Sequence, residues 1–278
     1  MLFNRYTRTL IIGTRASRKN KGFSLLEIMI ALLIMSVLLF GVAYTAQTAR
    51  NFEQYTENKQ YMNRVHDSLL TFVQVNGFLP CPDTNGDGTE NRNLAVPACN
   101  DANGRLPFLD LGVAETDAWG QPIFYAVNRD TDNIGGTSDI ASVGNSASYF
   151  NNQNAPVFGF NTPPVGNTLT GAAGNYSVCG ERTPLNLAAC ATANVLIEGS
   201  AVAVVVSFGQ NGATTWAGIV GGGNTNLANA EAENADNDLV FWLAEGSIVE
   251  KQEFDDQLFW LTGYDVKYAI IKSGRALQ

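Results

Sequence analysis

The chain has 278 residues, of which 45% are hydrophobic and 15% charged, with 17 basic and 26 acidic side chains. That length is enough for one globular domain with a proper core beside a terminal segment. The acid excess argues against nonspecific nucleic-acid binding, which relies on lysine and arginine at phosphates.

The charge is unevenly placed. Residues Met1–Gly22 carry Arg5, Arg8, Arg15, Arg18, Lys19 and Lys21 and no acid; without them the chain keeps 11 basic against 26 acidic residues, a charge near −15. Phe23–Tyr44 then forms an apolar run whose one charge is Glu27. As a helix rising about 1.5 Å per residue, this run spans roughly 33 Å, enough to cross a bilayer core. Basic residues on its N-terminal side place that end in the cytoplasm and the remainder outside. A cleaved secretory signal fits poorly, because the run is too long for an h-region and has no small-residue cleavage site before the polar helix. A plain anchor leaves Glu27 unexplained, since an acid near the centre of a lipid-facing helix costs on the order of 3 kcal/mol and usually has a partner.

The helix is expected to continue beyond the membrane. No proline or glycine occurs from Ala46 to Val75, and Phe52, Tyr55, Val65, Leu69 and Phe72 recur at helix-compatible spacings. Asn76-Gly77 supplies a stop, with Pro80 just beyond. The first part is apolar all round; the second is amphipathic, with a stripe suited to packing on a globular head. His66, the single histidine of the chain, sits on this helix and reads as a surface or packed residue rather than a ligand or base.

The stretch Lys21-Gly22-Phe23-Ser24-Leu25-Leu26-Glu27, followed by the uncharged run, resembles the prepilin signature of type IV pilins and type II secretion pseudopilins. The resemblance implies cleavage after Gly22 by prepilin peptidase, methylation of the new N-terminus at Phe23, and assembly through Glu27 paired with a neighbour's Phe23 ammonium. It implies a single-pass inner-membrane protein with a periplasmic head, which then enters a periplasmic or surface filament. The partners implied are other pilin or pseudopilin subunits and an inner-membrane assembly platform. The function implied is structural and non-enzymatic: a minor pilin or pseudopilin. The expected organisation is a leader at 1–22, a long helix at 23–76 with its membrane part at 23–44, and a head at 77–278. The leader, with Leu10-Ile11-Ile12, is longer than is common in that family.

Four cysteines, Cys81, Cys99, Cys179 and Cys190, all lie beyond the membrane run. An even number in an exported domain reads as disulfides, and four cysteines allow three pairings. The sequential pairing, Cys81–Cys99 and Cys179–Cys190, is favoured because each closes a Gly/Asn/Pro-rich loop. Zinc would need Cys-x-x-Cys or nearby histidines, which the sequence lacks.

Along the head, Gly77–Gly104 is rich in turn residues. Gln121–Val127 reads as a strand. Asn128–Ala173 is dominated by Gly, Asn, Ser and Thr, as in a long insertion or short strands with long loops. Val195–Ile197 and Ala201–Phe208 are the best strands, the latter β-branched and suited to a central position. Gly209–Asn229 reads as a loop, Leu239–Ala244 as a strand, Phe254–Leu261 as a short helix and Tyr264–Lys272 as a strand. The expected fold class is α+β: a long N-terminal helix packed on an antiparallel β-rich head with long loops.

Two head segments are also similar to major pseudopilins. Asp117-Ala118-Trp119-Gly120-Gln121-Pro122 matches their aspartate-x-tryptophan-glycine-x-proline stretch, and Val204–Gly212 followed by Glu233–Asp238 matches the order of an apolar strand, glycine turn and calcium-binding acidic segment. That order implies calcium near Asp236 and Asp238. Independently, Asp83-Thr84-Asn85-Gly86-Asp87-Gly88 fits the first half of a calcium loop, with Asp83, Asn85 and Asp87 as ligands. Position 94 is leucine, where a full loop of that type needs glutamate, and Asp, Asn and Gly are also simply good turn residues. No Gly-x-Ser-x-Gly, His-Glu-x-x-His or phosphate loop is present. A pilin-anchored surface adhesin using the Asn/Gly/Ser-rich loops, and a membrane-tethered hydrolase using acids such as Asp255-Asp256, are the alternatives.

Overall fold

The computed structural model describes residues 22, 24–92, 99–127, 150, 176–180, 190, 195–220, 234–235, 239–243, 248–249, 252–253 and 256–275. The chain forms two compact units, Met1–Asn51 and Phe52–Gln278. Helix α1, Leu25–Asn76, is 52 residues long and contributes to both. It ends where Gly77 adopts φ 91°, a conformation that costs other residues more, and where the Gly77 N–H closes on Val73 O at 2.7 Å.

In the first unit, every described side chain from Leu25 to Tyr44 is exposed. By length and composition the helix can cross a membrane.

The second unit is a sheet between two helical layers. Its elements after α1 are β1 (Asn103–Arg105), α2 (Phe108–Leu111), β2 (Phe124–Val127), β3 (Tyr176–Gly180), β4 (Leu196–Ser207), a 3-10 turn (Gly209–Asn211), α3 (Gly212–Val220), β5 (Val240–Leu243), β6 (Ile248–Val249), β7 (Gln252–Glu253), β8 (Gln257–Thr262) and α4 (Gly263–Lys272). The main sheet runs β1-β2-β4-β3-β5, with β8 also paired to β4. All its pairings are antiparallel except β3 with β5. The class is therefore α+β, with a mixed but mostly antiparallel sheet.

Strand β4 is central because its residues tolerate burial on both faces. Ala203 and Val205 join α1, whereas Val204 and Val206 join the opposite core with Phe124, Phe208 and Phe241. On α1, the buried positions Tyr61, Val65, Leu69 and Val73 recur every four residues, with Met62 three before Val65, which brings them to one side of the helix. They pack with Ile123, Tyr125, Val127, Leu261 and the α4 residues Val266, Ala269 and Ile270. Phe52 does not belong to that stripe; it is 73% exposed.

Several element expectations are corrected. The two strands at Val195–Ile197 and Ala201–Phe208 are one strand, β4. The loop expected at Gly209–Asn229 contains α3, whose Trp216 packs on Phe124 and Phe208 and donates Nε1 to Pro122 O at 2.8 Å. The helix expected over Phe254–Leu261 is strand β8: the aromatic run Leu258-Phe259-Trp260 suits a pleated edge, and β4 pairs with it from Ala201 to Ser207. Phe254 and Asp255 lie outside the described residues. The strand expected over Tyr264–Lys272 is helix α4. The Thr262 side chain accepts from Asp265 N–H, and the Asp265 carboxylate accepts from Thr262 N–H, a reciprocal cap that starts the helix.

Truncating Leu69 to alanine is expected to destabilise the head by about 2–5 kcal/mol, while Phe52→Ala stays within about 0.5 kcal/mol. Urea unfolding of the detergent-solubilised protein, followed by tryptophan fluorescence, measures both. Equal losses would place Phe52 in the core.

Candidate functional site

The candidate site begins before α1. Gly22 is exposed, and a Cβ built on it would meet nothing within 4 Å. Ser24 starts the helix, its carbonyl accepting from Glu27 N–H at 2.9 Å and Ile28 N–H at 3.2 Å. Glu27 lies in the first turn, where the helix macrodipole favours a carboxylate. It is exposed, as are Leu25, Leu26, Ile28, Met29 and Ile30 around it. Among the described residues no group pairs with the Glu27 carboxylate. Phe23 lies outside the described residues.

A second polar centre lies where α1 meets the sheet of the head. Asn58 is fully buried and donates Nδ2 to Ser207 Oγ at 3.0 Å. Ser207 donates its hydroxyl to Asp117 Oδ2 at 2.8 Å. The other Asp117 oxygen accepts from Trp119 N–H at 2.9 Å and Gln121 N–H at 2.8 Å, so this carboxylate also holds its own turn together. Gly120 closes that turn at φ 79°. Nearby, Tyr61 donates its hydroxyl to Ala114 O at 2.6 Å and Gln257 donates Nε2 to Tyr55 O at 3.1 Å. Burial raises the Tyr61 hydroxyl pKa, and the Asp117 charge adds to it. Asn58, Ser207 and Gln257 were not singled out by sequence reasoning. The readable signal was an amide placed in phase with the apolar stripe, three residues before Tyr61.

The Asp83 loop is closed by N–H groups that converge on its acidic side chains. Asp83 is buried; its Oδ1 accepts from Asn85 N–H (3.1 Å) and Gly86 N–H (2.6 Å), and its Oδ2 from Gly88 N–H (2.8 Å). Asn91 Oδ1 accepts from Thr84 N–H at 2.7 Å and Asn85 N–H at 3.2 Å. Asp87 accepts from the Thr89 N–H and hydroxyl and from Asn85 Nδ2. Calcium requires six to eight oxygens with lone pairs turned towards it. Here the Asp83 carboxylate already accepts three N–H groups, as the acceptor of a tight Asx-type turn does. Among the described residues no three His, Cys, Asp or Glu side chains gather as a metal would need. Asp236 and Asp238 lie outside the described residues.

The cysteines pair sequentially, Cys81 with Cys99 and Cys179 with Cys190. The first bridge spans the loop that also carries Glu90 and Arg92, an ion pair at 2.9 Å whose guanidinium lies over the Phe78 ring. His66 is half-buried, edge-on to Phe259. Asp256 accepts from Asn234 Nδ2, which also donates to Trp242 O, so this carboxylate sits in a buried structural network.

Residues 17–43 match the prokaryotic N-terminal methylation motif. The chain carries the signature of type IV pilins and pseudopilins. The motif covers 27 of the 278 residues and runs into an apolar helix that, by length and composition, can cross a membrane, which together suggest a pilin-like chain. The pilin-type family is structural and generally non-enzymatic. No curated protein and no solved structure matches the chain.

Two expectations concern the acids of the head. Asp83→Ala leaves three N–H groups without their acceptor and should cost about 1–3 kcal/mol or more, equally in calcium and in chelator, by thermal melting. A chelator effect that vanishes in Asp83→Ala would restore the ion to this loop. The second concerns pH. Burial raises the Asp117 pKa against the lowering pull of its hydrogen bonds, whereas the Thr89 and Asn85 donors lower that of exposed Asp87. Asp117 binds its proton more tightly folded than unfolded, so its contribution to stability falls as pH rises through the folded value; that of Asp87 is lost as pH falls through its own. Carbon-detected titration of the carboxyls should find Asp117 protonating at higher pH than Asp87, and the reverse order would contradict the assignment.

Proposed function

We propose that the protein is a structural subunit of a type IV pilus or type II secretion filament. It is made in the inner membrane, with its basic N-terminus cytoplasmic and its head periplasmic. Prepilin peptidase cuts it after Gly22, Phe23 becomes the methylated N-terminus, and the subunit is extracted by the assembly platform into a filament held together through α1.

The observation that carries this reading is a lone carboxylate, Glu27, in an exposed and otherwise apolar stretch from Leu25 to Tyr44. In lipid such a group is costly and seeks a cation or donor. The ammonium released by cleavage at Gly22 is a cation of the right kind, supplied by the same processing event. Gly22 itself supports the reading. A Cβ added to it would meet nothing within 4 Å among the described residues, so no packing contact there calls for a glycine. A recognition requirement of a processing enzyme does account for it.

N-terminal mass spectrometry of filament-fraction protein should find a methylated Phe23 start, and an intact Met1 start would refute processing. Glu27→Ala should leave membrane levels near normal and lower incorporation into sheared filaments about tenfold for every 1.4 kcal/mol the ion pair contributes. Unchanged incorporation would remove Glu27 from assembly.

A further inference from the structure

Helix α4 buries one side and exposes the other. Val266, Ala269 and Ile270 enter the core, while Tyr264, Tyr268 and Ile271, at i, i+4 and i+7, are 59%, 65% and 48% exposed. Lys272 is exposed beside the end of this face, and Arg275, also exposed, donates to Val75 O near the end of α1. Exposed tyrosines beside a cation on a rigid helix have the composition of an interface centre, and they stand out on a head whose net charge is strongly negative.

A complementary patch lies elsewhere on the same head. Leu109 on α2 is 60% exposed. Asp110 next to it is exposed and accepts from Glu90 N–H at 2.7 Å; Leu109 N–H donates to Gly88 O at 2.9 Å, which sets Asp87 alongside. Glu115 is exposed a few residues on. The two basic side chains of the 77–116 stretch are engaged elsewhere, Arg92 with Glu90 and Arg105 over the Trp216 ring.

The sheet sets these patches on opposite flanks. Strands β2 and β8 both pair with Ala203–Val206 of β4, so they lie on its two sides. Helix α2 belongs to the β2 side, where Leu106 N–H donates to Ile123 O at 3.0 Å, and α4 follows β8 directly at Gly263. Two different, complementary patches on opposite flanks make a heterologous contact, the kind that repeats without closing and builds an open helical array.

We propose that the Tyr264–Tyr268–Ile271 face of α4, with Lys272, docks on the Leu109–Asp110 patch of a second copy of this chain. The proposal rests on the filament reading above and deepens it: a chain carrying both halves of one contact is fitted to follow its own copy. The charges select partner and orientation, and the tyrosines and Leu109 supply the buried centre.

The test uses full-length protein in cells, with two differently tagged copies expressed together, one carrying Tyr268→Cys and the other Leu109→Cys. Both positions are exposed, so folding is spared. The expected product, in the filament fraction, is a disulfide-linked dimer bearing both tags. Adding Lys272→Glu to the first copy should lower its yield at least about tenfold, and adding Asp110→Lys to the second should restore it. A subunit that enters filaments without forming this dimer overturns the contact and leaves the filament reading standing. Dimers formed solely between two Tyr268→Cys copies overturn it also, since they report a symmetric contact. A subunit absent from filaments altogether overturns both.

Discussion

Asn58 carries an amide into a helix side that is otherwise apolar, and a buried amide costs about 1–3 kcal/mol unless it is paired. Its partner, Ser207, stands at the end of β4, the strand on which β2, β3 and β8 all pair. The apolar stripe of α1 supplies attraction but little discrimination. Shifting it by one helical turn, about 5.4 Å, would again set large apolar side chains against the sheet. The Asn58–Ser207 bond is met at one register alone. Ser207 is in turn held by Asp117, whose other oxygen binds the turn before β2, so helix, central strand and neighbouring strand are fixed by one chain of donors. Buried polar pairs of this kind specify register more than they add stability.

That dependence explains which features could be read from the sequence. The long helix, its stop at Asn76-Gly77 and the central strand near Val204 follow from local chemistry: an uninterrupted helical pattern, a glycine, and a β-branched run. The last two elements were exchanged, and the reason is physical. Leu258 and Leu261 satisfy a helical spacing, but their side chains part to opposite faces of β8, Leu258 on one core and Leu261 on the other. What decides for strand is the vacant side of β4, a tertiary demand with no local signature. For α4 a local signature did exist in Thr262-Gly263-Tyr264-Asp265, a cap with aspartate where glutamate or glutamine is usual. The apolar alternation of Tyr264, Val266 and Tyr268 obscured it.

The acidic loops show another limit. The atoms that would ligate calcium are the atoms that accept N–H bonds in a tight turn, so a pattern of Asp, Asn and Gly at alternate positions describes both. Only the direction of the lone pairs separates them. Around Asp83 three N–H groups converge on one carboxylate, and Asp117 repeats the device in the turn through Trp119 and Gln121. Part of the head's acidity is thus consumed in closing its own loops, next to the Cys81–Cys99 bridge in the first case. Asp110 both accepts from Glu90 N–H and is exposed, while Glu115 is exposed a few residues on.

Asn58 and Glu27 pose the same problem on one helix: a polar group set in an apolar surface. Asn58 meets its partner within the chain, and its energy goes to fixing the head. Glu27 meets none among the described residues, and its surroundings are side chains that are themselves exposed. A chain that kept such a carboxylate for its own stability would surround it with donors, as it does for Asp83. Under the filament proposal, the compensating charge for this carboxylate comes from a second copy. On that account the stability of the subunit and the stability of the assembly are written in separate residues. Asn58, Leu69 and Val205 serve the first, and the proposal assigns Gly22, Glu27 and the outward faces of the head to the second. Substitutions at Gly22 or Glu27 should leave the stability of the head nearly unmoved, because neither residue touches it among the described residues.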